Sequence, residues 1–361
     1  MISLAQPMLG ERERERVISI LDSGHLVDGP EVRDFEAEFA RYCGTSNAVA
    51  TSNGTTALHA ALVALGLGPG DRILTTPFSF IATANAARFV GSDIGFVDID
   101  RRTYCLDTDH LEEQLREGRM VDAVIAVHLF GLPAALDRLQ ELAETYSFYL
   151  IEDAAQAHGA TYADGRVGSF GDVGCFSFYP TKNMTTGEGG MITTDRPEVA
   201  ERAARFIDHG REEGYRHVEV GHNFRMTSIA AAIGRVQLER LPAFIEARRK
   251  HASRYDEAFE RTPIQTPHVP SRRTHVYNQY TITHPDRDGL RARLAELGIQ
   301  TGVYYPTPIH RQPAYAGHEG RAPVAEQVAK HVLSLPVHPA LPNEAVDTII
   351  DGVTSYAEVV T

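Results

Sequence analysis

The sequence is poor in cysteine, in lysine and in long apolar runs. Its three cysteines, Cys43, Cys105 and Cys175, are widely spaced and odd in number, so they suggest neither a disulfide framework nor a metal-ligand pattern. Unpaired thiols are typical of a reducing compartment, and we therefore expect a cytoplasmic location. No apolar run is long enough to cross a bilayer, and the residues up to Arg16 contain no hydrophobic signal region.

Acidic side chains outnumber basic ones. The chain of 361 residues has 48 acidic and 35 basic side chains, which gives a formal net charge of −13. A charge of that sign argues against nucleic acid and against an anionic membrane as binding partners. The hydrophobic share of 43% is ordinary for a globular protein, and the length allows one large domain and a smaller one.

The chain contains only three lysines. Lys250 and Lys330 lie in helix-like stretches dotted with charges, where a solvated helix face explains them. Lys182 lies in a Pro-Thr-Lys-Asn junction, where no structural role asks for an amine. Arginine could not replace it in forming a Schiff base, because a guanidinium stays protonated. Lys182 is therefore a candidate catalytic amine.

From residue 47 onward, short strand-like apolar stretches alternate with helical patterns. This alternation predicts an α/β fold with a largely parallel sheet that helices cover on both faces. The predicted strands are 47–51, 71–76, 94–98, 121–128 and 147–152, and the predicted helices between them are 54–66, 79–90, 109–117 and 133–145.

The rest of the chain predicts a second, smaller unit. Two helical patterns, 227–240 and 242–261, the second of which begins at Pro242, lead to a further mixture of strands and helices. We predict a large domain over residues 1–240 and a small C-terminal α/β domain over residues 241–361.

Asp153 ends one buried strand-like run, and Lys182 follows another such run, just past Pro180. Ligands of parallel sheets collect at the carboxyl ends of the strands. An amine and an acid at two such ends could hold pyridoxal 5'-phosphate (PLP), the amine binding its aldehyde and the carboxylate keeping its ring nitrogen protonated. Considered alone, Asp153 could equally cap the end of its strand.

A candidate phosphate site lies at residues 51–58, Thr-Ser-Asn-Gly-Thr-Thr-Ala-Leu, where a strand runs through a glycine into a helix start. Free backbone N–H groups and the helix dipole favour a phosphate at such a position. The alternative interpretation is an ordinary helix N-cap, which Ser52 or Asn53 could provide.

Motifs of other chemistries are missing. The sequence has no G-x-x-x-x-G-K-[ST] loop, no G-x-G-x-x-G fingerprint and no G-x-S-x-G elbow. Its sixteen histidines show no metal-ligand spacing, so we expect no metal site. We interpret His128 and His158 as hydrogen-bonded structural residues.

Several short segments are informative in combination: Gly-Thr at 54–55, Pro-Phe-Ser-Phe-Ile-Ala-Thr-Ala-Asn at 77–85, Val-His-Leu-Phe-Gly at 127–131, Glu-Asp-Ala-Ala-Gln-Ala-His-Gly-Ala at 152–160 and Ser-Phe-Tyr-Pro-Thr-Lys-Asn at 177–183. Together they resemble the DegT/StrS family of PLP-dependent nucleotide-sugar aminotransferases, and the likeness covers nearly the whole chain. The resemblance implies PLP-dependent transferase fold type I, the fold of aspartate aminotransferase. Some relatives have histidine in place of the lysine and are dehydratases, and Lys182 argues against that branch.

The resemblance implies four contacts with the ring of the cofactor. Lys182 would form the internal aldimine, and Asp153 would pair with the pyridinium nitrogen. Gln156 would contact the ring hydroxyl, and Phe80 would stack on the ring. Lys182 and Asp153 would be the catalytic pair.

The resemblance also implies a phosphate site shared between two subunits. Gly54, Thr55 and Ser177 would bind the phosphate of PLP. Asn223 matches a position that reaches the phosphate of the neighbouring subunit. The family likeness therefore implies a homodimer with its active sites at the interface.

The segment 302–310 resembles members of the family that act on 3-keto nucleotide sugars. In these members Arg225 and the residues matching Tyr304 and Tyr305 lie near the sugar, although many have histidine at the position of Tyr304. The two tyrosines could instead pack between domains. We expect a nucleotide-sugar substrate and glutamate as amino donor. The alternatives are a 4-keto nucleotide sugar, a cyclitol ketone, or a PLP-binding regulatory protein without turnover.

Overall fold

The computed structural model describes residues 1–118, 120–317 and 320–359. Its α-helices are α1 (Glu11–Ser23), α2 (Pro30–Cys43), α3 (Gly54–Ala64), α4 (Ala82–Phe89), α5 (Thr108–Arg116), α6 (Leu136–Tyr146), α7 (Pro197–Ile207), α8 (Ser228–Phe259), α9 (Arg287–Glu296), α10 (Pro323–Val328) and α11 (Asn343–Val359). Short 3-10 turns cover Leu129–Gly131, Ile309–Arg311 and Pro313–Tyr315.

The strands are β1 (Asn47–Thr51), β2 (Arg72–Thr75), β3 (Asp93–Phe96), β4 (Ala123–Val127), β5 (Tyr149–Asp153), β6 (Thr161–Tyr162), β7 (Gly165–Arg166), β8 (Val173–Ser177), β9 (Gly190–Thr194), β10 (Arg211–Glu213), β11 (Arg216–His217), β12 (Tyr280–Thr283) and β13 (Val332–Leu335). The five strands and four helices predicted from residue 47 to 152 are all present, with ends that differ by up to three residues.

A seven-stranded sheet forms the centre, in the order β1-β9-β8-β5-β4-β2-β3. The strands from β8 to β3 along this order are parallel, and β9 is antiparallel to both β8 and β1. The predicted mixed, mostly parallel sheet is therefore confirmed.

Alternating side chains of the central strands face two different layers of helices. Ile125 and Ile151 belong to a core cluster that also contains the apolar face of α3. Their neighbours Val124 and Leu150 belong to the cluster formed with α5 and α6 on the other side. Strands that are buried on both faces read as continuous apolar runs, as β4 does with Ala-Val-Ile-Ala-Val.

The helix α8 is one continuous element, although the sequence predicts two helices separated by Pro242. Proline in a helix interior removes a hydrogen bond and normally breaks the helix. Here tertiary contacts hold both sides of the proline. Gln237 bonds to α1 and Arg235 pairs with α2 on one side, and Arg254 pairs with Asp347 of α11 on the other.

The C-terminal part of the chain has its own apolar cluster, in which β12 and β13 pack against α9 and α11. The predicted domain boundary at residues 240 and 241 lies inside α8 and stays a prediction. Within the described part of the chain, no helix combines the length and the apolar character needed to cross a membrane.

Candidate active site

Four strands meet at one edge of the central sheet. The parallel strands β5 and β8 both end there, with Asp153 in register with Cys175 two residues before Ser177. The antiparallel strand β9 begins at the same edge, because Gly190 pairs with both Ser177 and Thr51. Side chains that are distant in the sequence are thereby brought to one place, as the strand-end argument predicts.

Asp153 is buried and receives two hydrogen bonds. The hydroxyl of Thr83 donates to its Oδ2 atom at 2.7 Å, and the backbone N–H of Ala155 donates to its Oδ1 atom at 3.2 Å. The second bond is the strand-end capping considered above. The first comes from the first turn of α4, 70 residues away in the sequence. The carboxylate is therefore fixed by more than its own strand.

The loop that carries Lys182 is tied to a distant segment. Asn278 donates to the carbonyl of Thr181 at 3.2 Å and to the Asn183 side chain at 3.1 Å. The Asn183 side chain in turn donates to the carbonyl of Val276 at 2.9 Å. These bonds hold both neighbours of Lys182, Thr181 through its carbonyl and Asn183 through its side chain.

Lys182 is half-buried by its accessible surface, and its amine lies within electrostatic range of an acid. Burial lowers the pKa of Lys182 to about 8, and the negative charge of Asp153 opposes that effect. A lysine with a lowered pKa is neutral in a larger fraction of molecules at physiological pH, which makes it a better nucleophile. The electrostatics thus suit the two roles expected of this pair.

Gln156 has a defined amide orientation. Its Oε1 atom accepts from the backbone N–H of Phe130 at 2.8 Å, so its Nε2 atom is the end that donates to the hydroxyl of Tyr305 at 3.1 Å. Burial raises the pKa of the Tyr305 phenol, which therefore stays protonated. Gln156 retains one more N–H for a further acceptor.

Aromatic rings border the same region. The Phe80 ring lies 6.3 Å from the Tyr305 ring, and the Phe78 ring lies 6.4 Å from it on another side. Phe78 is completely buried, whereas 56% of Phe80 is exposed. Phe80 thus presents an uncovered ring face, as a stacking residue requires. The Tyr304 ring packs 5.8 Å from the Tyr305 ring, so the packing interpretation of these tyrosines also stays open.

The start of α3 lies directly against the end of β8. A Cβ atom on Gly54 would lie 2.6 Å from the Cβ of Ser177, so this contact requires glycine. Asn53 caps the helix by accepting from the N–H of Thr56 at 2.9 Å, as the N-cap alternative predicts. The preceding N–H groups, those of Gly54 and Thr55, also belong to this first turn. A capped helix start and an anion site are thus compatible here.

Asn223 and Arg225 lie on a different strand-like segment. The backbone of Asn223 forms a bridge with Asp208, and its residue surface is exposed in the single chain. Arg225 forms an ion pair with Asp208, and its backbone pairs with Thr51. Among the described residues, no hydrogen bond, ion pair or ring contact joins the side chain of Asn223 or Arg225 to Lys182. Their expected roles therefore stay predictions.

The two histidines singled out in the sequence differ. His128 is completely buried, accepts from the N–H of Ala134 and donates to Glu152 at 2.9 Å, so its structural role is confirmed. His158 is also buried, but among the described residues neither ring nitrogen makes a hydrogen bond of good geometry, and the nearby backbone of Ser177 only opposes the effect of burial on its pKa, so the hydrogen-bonded role expected for His158 is not confirmed. Its ring packs between Phe176 and Phe178, and burial lowers its pKa to about 3. His158 is thus a neutral packing residue.

Comparison with known proteins identifies the family of the chain. Residues 7–354 match the DegT/DnrJ/EryC1/StrS aminotransferase family. The chain belongs to this family. The predicted family, the aminotransferase class and the fold type are thereby confirmed.

Similar proteins cover more than nine tenths of the chain. The chain is 39% identical to the UDP-N-acetyl-3-dehydro-alpha-D-glucosamine 3-aminotransferase of Acidithiobacillus ferrooxidans, over 91% of this chain and 89% of that protein. It is 38% identical to a pleiotropic regulatory protein of Geobacillus stearothermophilus, over 96% of this chain and 95% of the relative.

A solved family structure has the same fold. The crystal structure of Streptomyces venezuelae DesV in complex with a ketimine intermediate superimposes with a TM-score of 0.93, at 38% identity. The alignment covers 96% of this chain and 94% of DesV.

Two supporting residues of the candidate site, Thr83 and Asn278, are not predicted from the sequence. Each is buried and makes its decisive hydrogen bond to a segment 70 or more residues away. Thr83 lies within a segment that carries the family likeness, but nothing in the sequence pairs it with Asp153. Asn278 has no signal of its own in the sequence.

Proposed function

We propose that this aminotransferase binds PLP and transfers an amino group from L-glutamate to the keto group at carbon 3 of a nucleotide-linked sugar. The observation that carries the proposal is the arrangement of Lys182 and Asp153, an amine of lowered pKa and a buried carboxylate within electrostatic range of each other. The glycine-dependent contact between Gly54 and Ser177 supports a phosphate cradle at the same edge of the sheet.

The residues present fit the cofactor. Asp153 would hold the ring nitrogen, Phe80 would cover one face of the ring, and the remaining N–H of Gln156 would hold the ring hydroxyl. Gly54, Thr55 and Ser177 would hold the phosphate. When bound, PLP supplies an electron sink for the amino group that is transferred.

Lys182 would bind the aldehyde of the cofactor through its Nζ atom. The same amine would then take up and return the proton that the carbon bearing the transferred amino group loses or gains in each half-reaction. A group transfers protons best when its pKa is near the working pH, and the pKa of about 8 fulfils that condition. The hydrogen bonds of Asn278 to both sides of the lysine would keep the amine in place during these steps.

Three features support the substrate. The 3-aminotransferase relative acts on a 3-keto nucleotide sugar by name. Tyr305 contacts Gln156, the expected partner of the ring hydroxyl, and its own ring lies 6.4 Å from that of Phe78 and 6.3 Å from that of Phe80. Tyr304 is its direct neighbour in the chain, and Arg225 would supply a positive charge near the sugar.

The amino donor and the location rest on other observations. Glutamate as amino donor follows from the family likeness. A cytoplasmic location follows from the three buried cysteines, which form no disulfide.

We further propose a homodimer in which Asn223 serves the partner's phosphate. Asn223 is exposed in the single chain, and exposed apolar side chains such as Ile18 and Val27 would be covered by a second copy. Mixing the Lys182→Ala and Asn223→Ala variants tests this arrangement. A mixed dimer regains one complete site if Asn223 acts across the interface. It regains none if Asn223 acts within its own chain.

The activity itself is tested with a panel of keto substrates and mass detection of the amino product. We expect amination of a 3-keto nucleotide sugar in the presence of glutamate, loss of turnover in Lys182→Ala, and unchanged turnover in the matched control Lys250→Ala. Amination of a 4-keto sugar or of a cyclitol ketone instead would identify the alternative transaminases.

A PLP-binding regulatory protein without turnover is the second candidate, because one relative is named a pleiotropic regulatory protein. It predicts a yellow, PLP-loaded protein that exchanges no amino group between glutamate and any ketone in the panel. Wild-type transamination by the Lys182→Ala variant would contradict both candidates.

A further inference from the structure

Thr83 provides the shorter of the two hydrogen bonds to Asp153. Its Oγ1 atom lies 2.7 Å from Oδ2 of the carboxylate, and both residues are almost completely buried, with 1% and 5% of their surfaces exposed. A second buried hydroxyl, that of Ser79, lies 2.8 Å from the Thr83 hydroxyl. The three side chains form a row that leads from the start of α4 to the end of β5.

The direction of these hydrogen bonds follows from the charge of the carboxylate. An ionised carboxylate only accepts, so the proton of the Thr83 hydroxyl must point to Asp153. Thr83 then has only lone pairs to offer to Ser79, and Ser79 must be the donor of the second bond. The row therefore has one consistent order, Ser79 to Thr83 to Asp153, when Asp153 is charged.

The row also fixes which parts of the carboxylate stay available. Each carboxylate oxygen has two lone-pair sites. Thr83 occupies one site on Oδ2, and the N–H of Ala155 occupies one on Oδ1. With both oxygens held, the plane of the carboxylate cannot rotate freely, and each oxygen keeps one site for another donor.

The same turn of the chain carries Phe80. Ser79 and Phe80 are adjacent, and the N–H of Thr83 donates to the carbonyl of Phe80 at 3.1 Å. One short segment thus holds the carboxylate through its hydroxyls and also carries the exposed Phe80 ring.

We propose that Thr83, supported by Ser79, is a positioning residue that holds the Asp153 carboxylate in the orientation that receives the ring N–H of PLP. Thr83 acts through Asp153 and needs no contact of its own with the cofactor. This inference rests on the proposed function, because it requires a pyridine ring at Asp153.

The test compares two ligands in binding titrations of the apoenzyme. One is PLP, and the other is its 1-deaza analogue, in which a C–H group replaces the ring nitrogen. We expect Thr83→Val to raise the dissociation constant of PLP about tenfold, the effect of losing one hydrogen bond to a charged group. The dissociation constant of the analogue, which makes no bond to Asp153, should change less than about twofold.

Three further variants make the test specific. Thr83→Ser keeps the hydroxyl and should restore PLP binding to near the wild-type value. Ser79→Ala removes only the outer hydroxyl and should weaken PLP binding less than Thr83→Val. Thr193→Val, the matched control, removes a buried hydroxyl that bonds to the carbonyl of Gly168 and should change neither dissociation constant.

An equal loss of affinity for both ligands in Thr83→Val would overturn the inference, because Thr83 would then support the fold of the site and not the ring nitrogen contact. Failure of Thr83→Ser to restore binding would overturn it as well. If Thr83→Val does not fold, Ser79→Ala decides by the same comparison of ligands. Wild-type protein that binds no PLP would refute the proposed function itself, an outcome distinct from these.

Discussion

Replacing Gly54 by alanine tests the phosphate cradle by a purely steric change. The added Cβ would lie 2.6 Å from Cβ, 3.1 Å from Oγ and 3.3 Å from Cα of Ser177. Carbon atoms in optimal contact are about 3.5–4.0 Å apart, so the start of α3 must move away from the end of β8. The backbone of Ser177 is part of the central sheet and cannot yield easily.

We expect two measurable consequences of Gly54→Ala. The free energy of unfolding in urea should fall by about 1–3 kcal/mol, the usual result of adding a methyl group to a tightly packed site. The affinity for PLP should also fall, because the shifted N–H groups of Gly54 and Thr55 would no longer converge on the phosphate.

Gly68→Ala is the matched control, because a Cβ there would contact only the carbonyl of Val90, at 3.8 Å. Combining Gly54→Ala with Ser177→Gly removes the closest contact, and the double variant should be more stable than the sum of the single changes predicts. An unfolding midpoint and a PLP affinity for Gly54→Ala equal to those of Gly68→Ala would refute the steric reasoning.

Three other predictions concern buried polar groups. The lowered pKa of Lys182 means that the folded apoenzyme disfavours its charge. Replacing it by methionine should stabilise the apoenzyme in urea unfolding below about pH 8, and the difference should shrink as the pH rises towards 10.5. His128→Ala leaves the fully buried Glu152 without its side-chain donor and should lower the free energy of unfolding by about 3 kcal/mol. A decrease of less than about 1 kcal/mol in the free energy of unfolding of His128→Ala would contradict this expectation. Asn278→Ala removes the hydrogen bond to the carbonyl of Thr181, next to Lys182, and should reduce kcat. Its melting temperature should stay within about 3 °C of the wild-type value. A variant that melts far lower but keeps its kcat would show a merely structural role.

The sheet and its functional edge are predictable from the sequence because strand length and polarity are local properties. The run that ends at Asp153 and the run that ends at Ser177 are both apolar, as strands buried on both faces are, and β5 and β8 pair in parallel with their carboxyl ends at the same edge. Lys182 could be singled out because lysine is so rare in this chain.

The supporting residues could not be predicted, because their partners are chosen by tertiary packing. From the sequence, a threonine in the first turn of a helix, such as Thr83, is equally compatible with packing and with a role as a hydrogen-bond donor.

The continuity of α8 also depends on tertiary contacts. Pro242 is a local signal for a break, and contacts of Gln237 and Arg254 with other helices override it.

The attachment of the cofactor to Lys182 is the central claim, and reduction with borohydride tests it most directly. The PLP-loaded protein is reduced, digested and mapped by mass spectrometry. Since the chain has only three lysines, the modified position is assigned without ambiguity. The account predicts a phosphopyridoxyl group on Lys182 and none on Lys250 or Lys330. A modification on either of those lysines alone, or none at all, would contradict it.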